Sequence, residues 1–223
     1  MAEEQPTPLH TFIVEHLDPE LEAWQALEYK TIYQECRASG RSRFLLSGLS
    51  DPAATQKLLD IPSSSLSGES VEQLYPTPAA RSRVCLLDPK GAKDLSPADA
   101  EEFDVFLFGG ILGDDPPRDR TADLRAQGFP GRRLGPEQMT TDTAARVTRL
   151  VVQEGRRLEE IAFVNRPEIE LTRPAEGGKG AYPSESVEMP FKYVKGADGK
   201  PIMPEGMLEL LREDMDKGLE GLL

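Results

Sequence analysis

The stretch FDVFLFGGILGDDPPRDRT, residues 103–121, places chemically capable groups side by side. Beyond its apolar start, from residue 109 on, it holds three glycines (Gly109, Gly110, Gly113), three carboxylates (Asp114, Asp115, Asp119) and two guanidinium groups (Arg118, Arg120) around Pro116 and Pro117. Paired glycines permit backbone geometry and a close ligand approach that a side chain would block. Carboxylates in such a place can clamp a cation through charge-assisted hydrogen bonds. The apolar run of Phe103, Val105, Phe106, Leu107 and Phe108 suits a strand covered on both faces,. The charged cluster therefore stands beyond the strand's carboxyl end, where ligands bind in open α/β sheets. A plain αβ connection accounts for one glycine but not for this crowding of charge.

Other elements must position that loop. RRLGPEQMTTDTAARVTRLV, residues 132–151, reads as a short strand, a turn at Gly135 and Pro136, and an amphipathic helix presenting Ala144, Val147, Leu150 and Val151. Thr141 or Asp142 caps that helix and Gly155 closes it. Further strands are expected at residues 11–17, 44–49 and 84–87. Asp18 and Pro19 open a helix carrying Leu21, Trp24 and Leu27, and Asp51-Pro52 opens another that runs through Leu58,. Residues 61–68 are Ser, Pro and Gly punctuation before a short helix at 71–74. Residues 143–154 form a helix, 161–171 are partly strand, 172–182 are a flexible excursion, and a last helix spans 204–222. The alternation of strands and helices predicts an α/β fold with a mainly parallel sheet and helices on both faces. No shift in composition splits residues 1–223, so a single domain is expected.

Composition excludes several function classes. The two cysteines, Cys36 and Cys85, form no Cys-x-x-Cys, and the two histidines, His10 and His16, lack zinc-site spacing,. No metal is expected, and both thiols should be buried and reduced. Gly-x-Ser-x-Gly is absent, and Gly109-Gly110-x-x-Gly113 is neither a Walker loop nor Gly-x-Gly-x-x-Gly. The mean hydropathy is -0.45, and no apolar run approaches the roughly 20 residues of a membrane helix. The N-terminus carries no signal-like apolar stretch, so cytoplasmic residence is expected. The 39 acidic and 26 basic residues give a net charge of -13. Such a surface repels phosphate backbones and steers basic polypeptides toward it.

FGGILGDDPPRDRT and LGPEQMTTDT together resemble the signature of the fungal SPOUT-class protein arginine methyltransferases, and ESVEMPFKY, with Glu185 and Glu188, is similar too. The resemblance spans most of the chain. It implies a SPOUT fold with a C-terminal deep trefoil knot, S-adenosylmethionine as cofactor, and a small-subunit ribosomal protein as substrate. The cofactor would sit among three loops, at residues 86–92, 108–114 and 134–142. The implied cofactor contacts are Leu87, Pro89, Phe108, Gly109, Gly110, Leu112, Gly113, Leu134, Gly135, Met139, Thr140 and Thr141. For the substrate guanidinium the resemblance points to Asp114 and Glu188, then Asp119, with Asp115 and Glu185 behind them. Arg118 and Arg120 brace the loop, meet the cofactor's carboxylate, or both. An RNA methyltransferase of the same fold is the alternative, and a nucleotide-binding or scaffolding protein ranks third. The acidic balance favours a basic protein substrate over RNA. A monomer is favoured over a homodimer.

Overall fold

The computed structural model describes residues 10–109, 119, 121–171 and 186–220, with the backbone alone for 216–220. Its first strand, β1 (His10–Glu15), leads into α1 (Ala23–Ser39), β2 (Ser42–Ser47) and α2 (Pro52–Leu59). The short helices α3 (Val71–Leu74) and α4 (Pro78–Arg81) precede β3 (Val84–Leu87), and α5 (Asp99–Glu102) precedes β4 (Val105–Gly109). The order continues with α6 (Ala122–Ala126), β5 (Gly131–Arg132) and α7 (Thr141–Glu154). The remaining strands are β6 (Phe163–Asn165), β7 (Glu168–Glu170), β8 (Ser186–Glu188) and β9 (Lys192–Val194), followed by α8 (Met207–Glu220).

Five strands form one sheet in the order β2-β1-β4-β3-β5, every pairing parallel. Burial on both faces follows from the apolar runs. Along β4, Phe106 and Phe108 join the larger core with residues of α1, α2 and α7, while Val105 and Leu107 join a second core with Val71 of α3 and Leu124 of α6. Helices therefore cover both faces, as the alternation predicted. Two antiparallel ribbons, β6 with β9 and β7 with β8, lie outside the main sheet. A third cluster, Met189, Phe191 and Tyr193, packs with Trp24 and Leu211 and ties this region to α1 and α8.

Local signals explain most boundaries. Asp51 caps α2, its side chain accepting from the Ala54 amide with Pro52 in the first turn, and Gly155 closes α7 with left-handed φ of 70°,. Two caps differ from expectation. α1 starts at Ala23 behind Glu22, whose side chain and that of Gln25 form a reciprocal capping box, while Asp18 accepts from the Gln25 side chain at 2.7 Å,. Thr140, rather than Thr141 or Asp142, is the cap residue of α7, which starts two residues before the expected 143. Phe103 follows α5 instead of opening β4, and β1 ends at Glu15 rather than at Leu17. The excursion at 172–182 lies outside the described residues.

Candidate active site

A cleft lined mostly by apolar side chains opens at the carboxyl ends of β3 and β4 and beneath the start of α7, the place where ligands bind in open α/β sheets,. Its wall is formed by Leu87, Asp88, Pro89, Phe108, Gly109, Leu134, Gly135, Glu137, Gln138, Met139, Thr141 and Ala144. All three expected loops contribute. The apolar side chains suit an aromatic ring, and the glycines bring backbone to the surface of the cavity.

The first loop is held against β5. Asp88 N–H donates to the Arg132 carbonyl at 2.8 Å and Arg133 N–H to the Lys93 carbonyl at 2.9 Å. Gly91 is needed there, because a Cβ would come within 2.8 Å of the Arg132 carbonyl carbon and 3.0 Å of the Asp88 oxygen. The third loop turns at Gly135, with φ of 94°, and is anchored to β9 where Lys192 N–H donates to the Gln138 carbonyl at 2.9 Å,. Lys192 Nζ also meets Glu137 at 3.0 Å and lies 4.1 Å from the centre of the Phe163 ring. That ion pair holds the Glu137 carboxyl below its usual range.

Gly109 also serves packing within the chain. The space its absent side chain would take is already lined by this chain's own Thr121 at 3.3 Å and Leu124 at 3.4 Å, so the glycine lets α6 pack close while its backbone faces the cavity.

Two charged networks flank the cavity. Asp88 is buried and its carboxylate accepts from Arg125 Nε at 2.5 Å and Nη2 at 2.8 Å, from Thr121 Oγ1 at 3.0 Å and from the Lys90 amide at 3.0 Å. Burial would raise its pKa, but these hydrogen bonds outweigh burial and hold it below the usual range,. Behind the third loop, Glu28 of α1 accepts from Trp24 Nε1 at 2.7 Å and from the Thr141 amide at 3.2 Å. Its burial, with the neighbouring Asp142 charge, pushes the Glu28 carboxyl up to about 8. Burial raises Asp142 as well, against the opposing pull of Arg146.

Eight of the twelve expected cofactor contacts line the cavity: Leu87, Pro89, Phe108, Gly109, Leu134, Gly135, Met139 and Thr141. Thr140 does not. It is the buried cap of α7, and its hydroxyl donates to Thr143 Oγ1 at 2.8 Å. Gly110, Leu112, Gly113, Asp114, Asp115, Arg118, Arg120 and Glu185 lie outside the described residues. Asp119 is taken up by Arg125 and Lys90, which hold its carboxyl far below the usual range. Glu188 lies off the cavity wall, exposed on β8 across from Glu168, and pairs with Arg166 at 2.6 Å. Sequence reasoning missed Asp88, Glu137, Gln138 and Ala144. Asp88 had a signal, being the first residue past a strand of the sheet, and Ala144 lies one helical turn beyond Thr141. Among the described residues no group of His, Cys, Asp and Glu is arranged to hold a metal ion, and no helix is long and apolar enough to cross a membrane.

An open parallel sheet with an apolar cavity at the carboxyl ends of its inner strands defines a small-molecule-binding α/β protein. The chain belongs to the SFM1-like protein arginine N-methyltransferases, whose family pattern matches residues 11–218. It is 40% identical over 227 residues to the protein arginine N-methyltransferase SFM1 of Saccharomyces cerevisiae, a match covering 95% of this chain and 99% of that protein. The crystal structure of the yeast arginine methyltransferase SFM1 with SAM superposes with a TM-score of 0.77 at 37% identity, over 95% of this chain and 93% of that one. The dual-specific Trm10 of Thermococcus kodakaraensis, 17% identical with a TM-score of 0.51 over 68% of this chain and 96% of its own, shares the fold.

Proposed function

We propose that this chain transfers a methyl group from S-adenosylmethionine to an arginine of a basic protein, a small-subunit ribosomal protein, and that the cofactor occupies the cavity between the three loops. The observation that carries the reading is that eight residues expected from the loop pattern converge on one cavity in a chain of this family. Leu87, Phe108, Leu134 and Met139 give apolar walls for an adenine ring, and Gly109 and Gly135 let polar backbone approach. The same reading includes the SPOUT trefoil knot, supported by the convergence of these loops, and a monomer acting in the cytoplasm.

The cofactor supplies an electrophilic methyl on a sulfonium. The chain's own task is to position the acceptor. A guanidinium stays protonated, with a pKa above about 12 and delocalised lone pairs, so a carboxylate that clamps it bidentately orients one nitrogen and offsets its charge. Asp114 is the leading candidate for that role. Asp119 and Glu188 are the next, and each would have to exchange its present ion pair for the substrate. Glu137 adds a carboxylate in the cavity wall. The net charge of -13 supports a basic polypeptide over RNA as substrate,.

Isothermal calorimetry with S-adenosylhomocysteine tests the cofactor assignment. Mass spectrometry of a basic small-subunit ribosomal protein, before and after incubation with enzyme and S-adenosylmethionine, tests the substrate, with added methyl groups on arginine expected. Methyl transfer to RNA and none to protein would overturn it.

A further inference from the structure

We propose that Arg125 is a positioning residue for cofactor binding, which locks the first cavity loop to the chain that returns after β4, so that neither wall is set independently of the other. Its single guanidinium holds two carboxylates at once. Nε and Nη2 clamp Asp88 at 2.5 and 2.8 Å, while Nη1 and Nη2 reach Asp119 at 3.2 and 2.9 Å. Nη2 also donates to Thr121 Oγ1 at 3.1 Å, and that hydroxyl in turn donates to Asp88 Oδ1 at 3.0 Å.

The geometry gives the clamp a purpose. Asp88 is the first residue beyond β3 and lines the cavity, yet its carboxylate is 2% exposed and saturated by Arg125, Thr121 and the Lys90 amide. Its side chain is spent on the protein, so what it presents to a ligand is backbone held in place. Thr121 carries the other half of the effect, because its methyl group lies 3.3 Å from where a Gly109 side chain would stand. Arg125 thus binds the residue that shapes the end of β4 and the residue that starts the first loop. Lys90 closes the circuit from the loop's own side, Nζ meeting Asp119 at 2.6 Å. Only a planar fork can serve two carboxylates in this way, and a lysine point charge cannot.

The inference rests on the cofactor reading above. S-Adenosylhomocysteine is the probe, titrated by calorimetry into the parent and into Arg125→Lys, Arg125→Met and Asp119→Asn, with cofactor KM and kcat measured on the protein substrate. Arg125→Lys should raise Kd and cofactor KM about tenfold or more, a typical size for coupling between sites, while kcat at saturating cofactor changes far less. Asp119→Asn alters only the outer, partly exposed half of the clamp and should raise Kd by roughly threefold or more. A merely structural role would lower the unfolding midpoint and leave the affinity of the folded protein alone. Should both Arg125 variants fail to fold, Asp119→Asn decides. If the parent binds the probe and the folded variants bind it within about twofold, Arg125 does not position the site. If the parent itself does not bind, the cofactor reading falls first.

Discussion

Glu28→Gln should remove a pH dependence that the parent carries in its stability. Glu28 is enclosed between α1 and the first turn of α7, one oxygen facing Trp24 Nε1 and the other the Thr141 amide. Burial first, and the Asp142 charge second, push its carboxyl up to about 8, whereas a glutamate in an unfolded chain titrates near 4.3,. Between those values the folded protein keeps a proton that the unfolded chain has lost. The contribution of this group to stability is therefore full below about pH 4.5, falls as pH rises, and is lost above about 8,. The slope is about 1.4 kcal/mol per pH unit, so moving from about pH 5.5 to about 7.5 costs the parent on the order of 3 kcal/mol through this group. That is a large share of the ~5–15 kcal/mol by which a domain is stable. Glutamine keeps the shape and does not titrate, and the NH2 it must turn toward Trp24 or Thr141 adds only a pH-independent offset. Urea unfolding of both proteins across this range checks it: the parent's free energy minus the variant's should decline by roughly that amount. A constant difference would mean that Glu28 is already ionised at the acid end, and the account of the buried pair would be refuted.

Gly91→Ala should cost about 1–3 kcal/mol in stability and weaken S-adenosylhomocysteine binding, because its Cβ meets backbone rather than a side chain that can move aside,; unchanged urea midpoint and affinity would contradict this. Raising salt should raise KM for the protein substrate and leave cofactor affinity nearly unchanged, since exposed charges are screened beyond about 8–10 Å, and a kcat/KM flat in salt would remove the charge argument against RNA. At least one of Asp114→Asn and Glu188→Gln should lower single-turnover methyl transfer by about tenfold or more, with cofactor affinity largely kept, since a neutral amide loses the charge-assisted clamp. Transfer at the parent rate by both would move the search to Asp115, Asp119 and Glu185.

Where sequence and physics agree locally, the fold was readable. VCLL reads as β3 to the residue because Arg83 and Asp88-Pro89 bound an apolar run, and Asp51-Pro52 starts α2 because both caps act within one turn. The loop pattern likewise led to most of the cavity wall. What escaped depends on partners distant in the chain. Glu28 looks like a solvated helix charge, and only the approach of Thr141, 113 residues away, makes it a buried carboxyl. Arg125 reads as a surface residue until Asp88, 37 residues earlier, is placed beside it. The helices α4, α5 and α6 are one turn each, too short for a periodic signal,. Glu188 was placed by motif, and motif does not reveal that β8 pairs with β7 away from the cavity wall.

The strand order also governs how the chain must assemble. β1 pairs with β2 across a single helix, but its other edge is filled by β4, so Thr11 waits for Val105, more than ninety residues downstream. Until β4 is inserted between β1 and β3, two apolar strands each carry an open edge, one on either side of the gap that will become the centre of the sheet. Such non-local closure slows folding and leaves hydrophobic edges free to pair with another chain. A chain that ended before β4 was complete at Gly109 would leave the inner edges of β1 and β3 unpaired, a state that favours aggregation over a stable partial fold,.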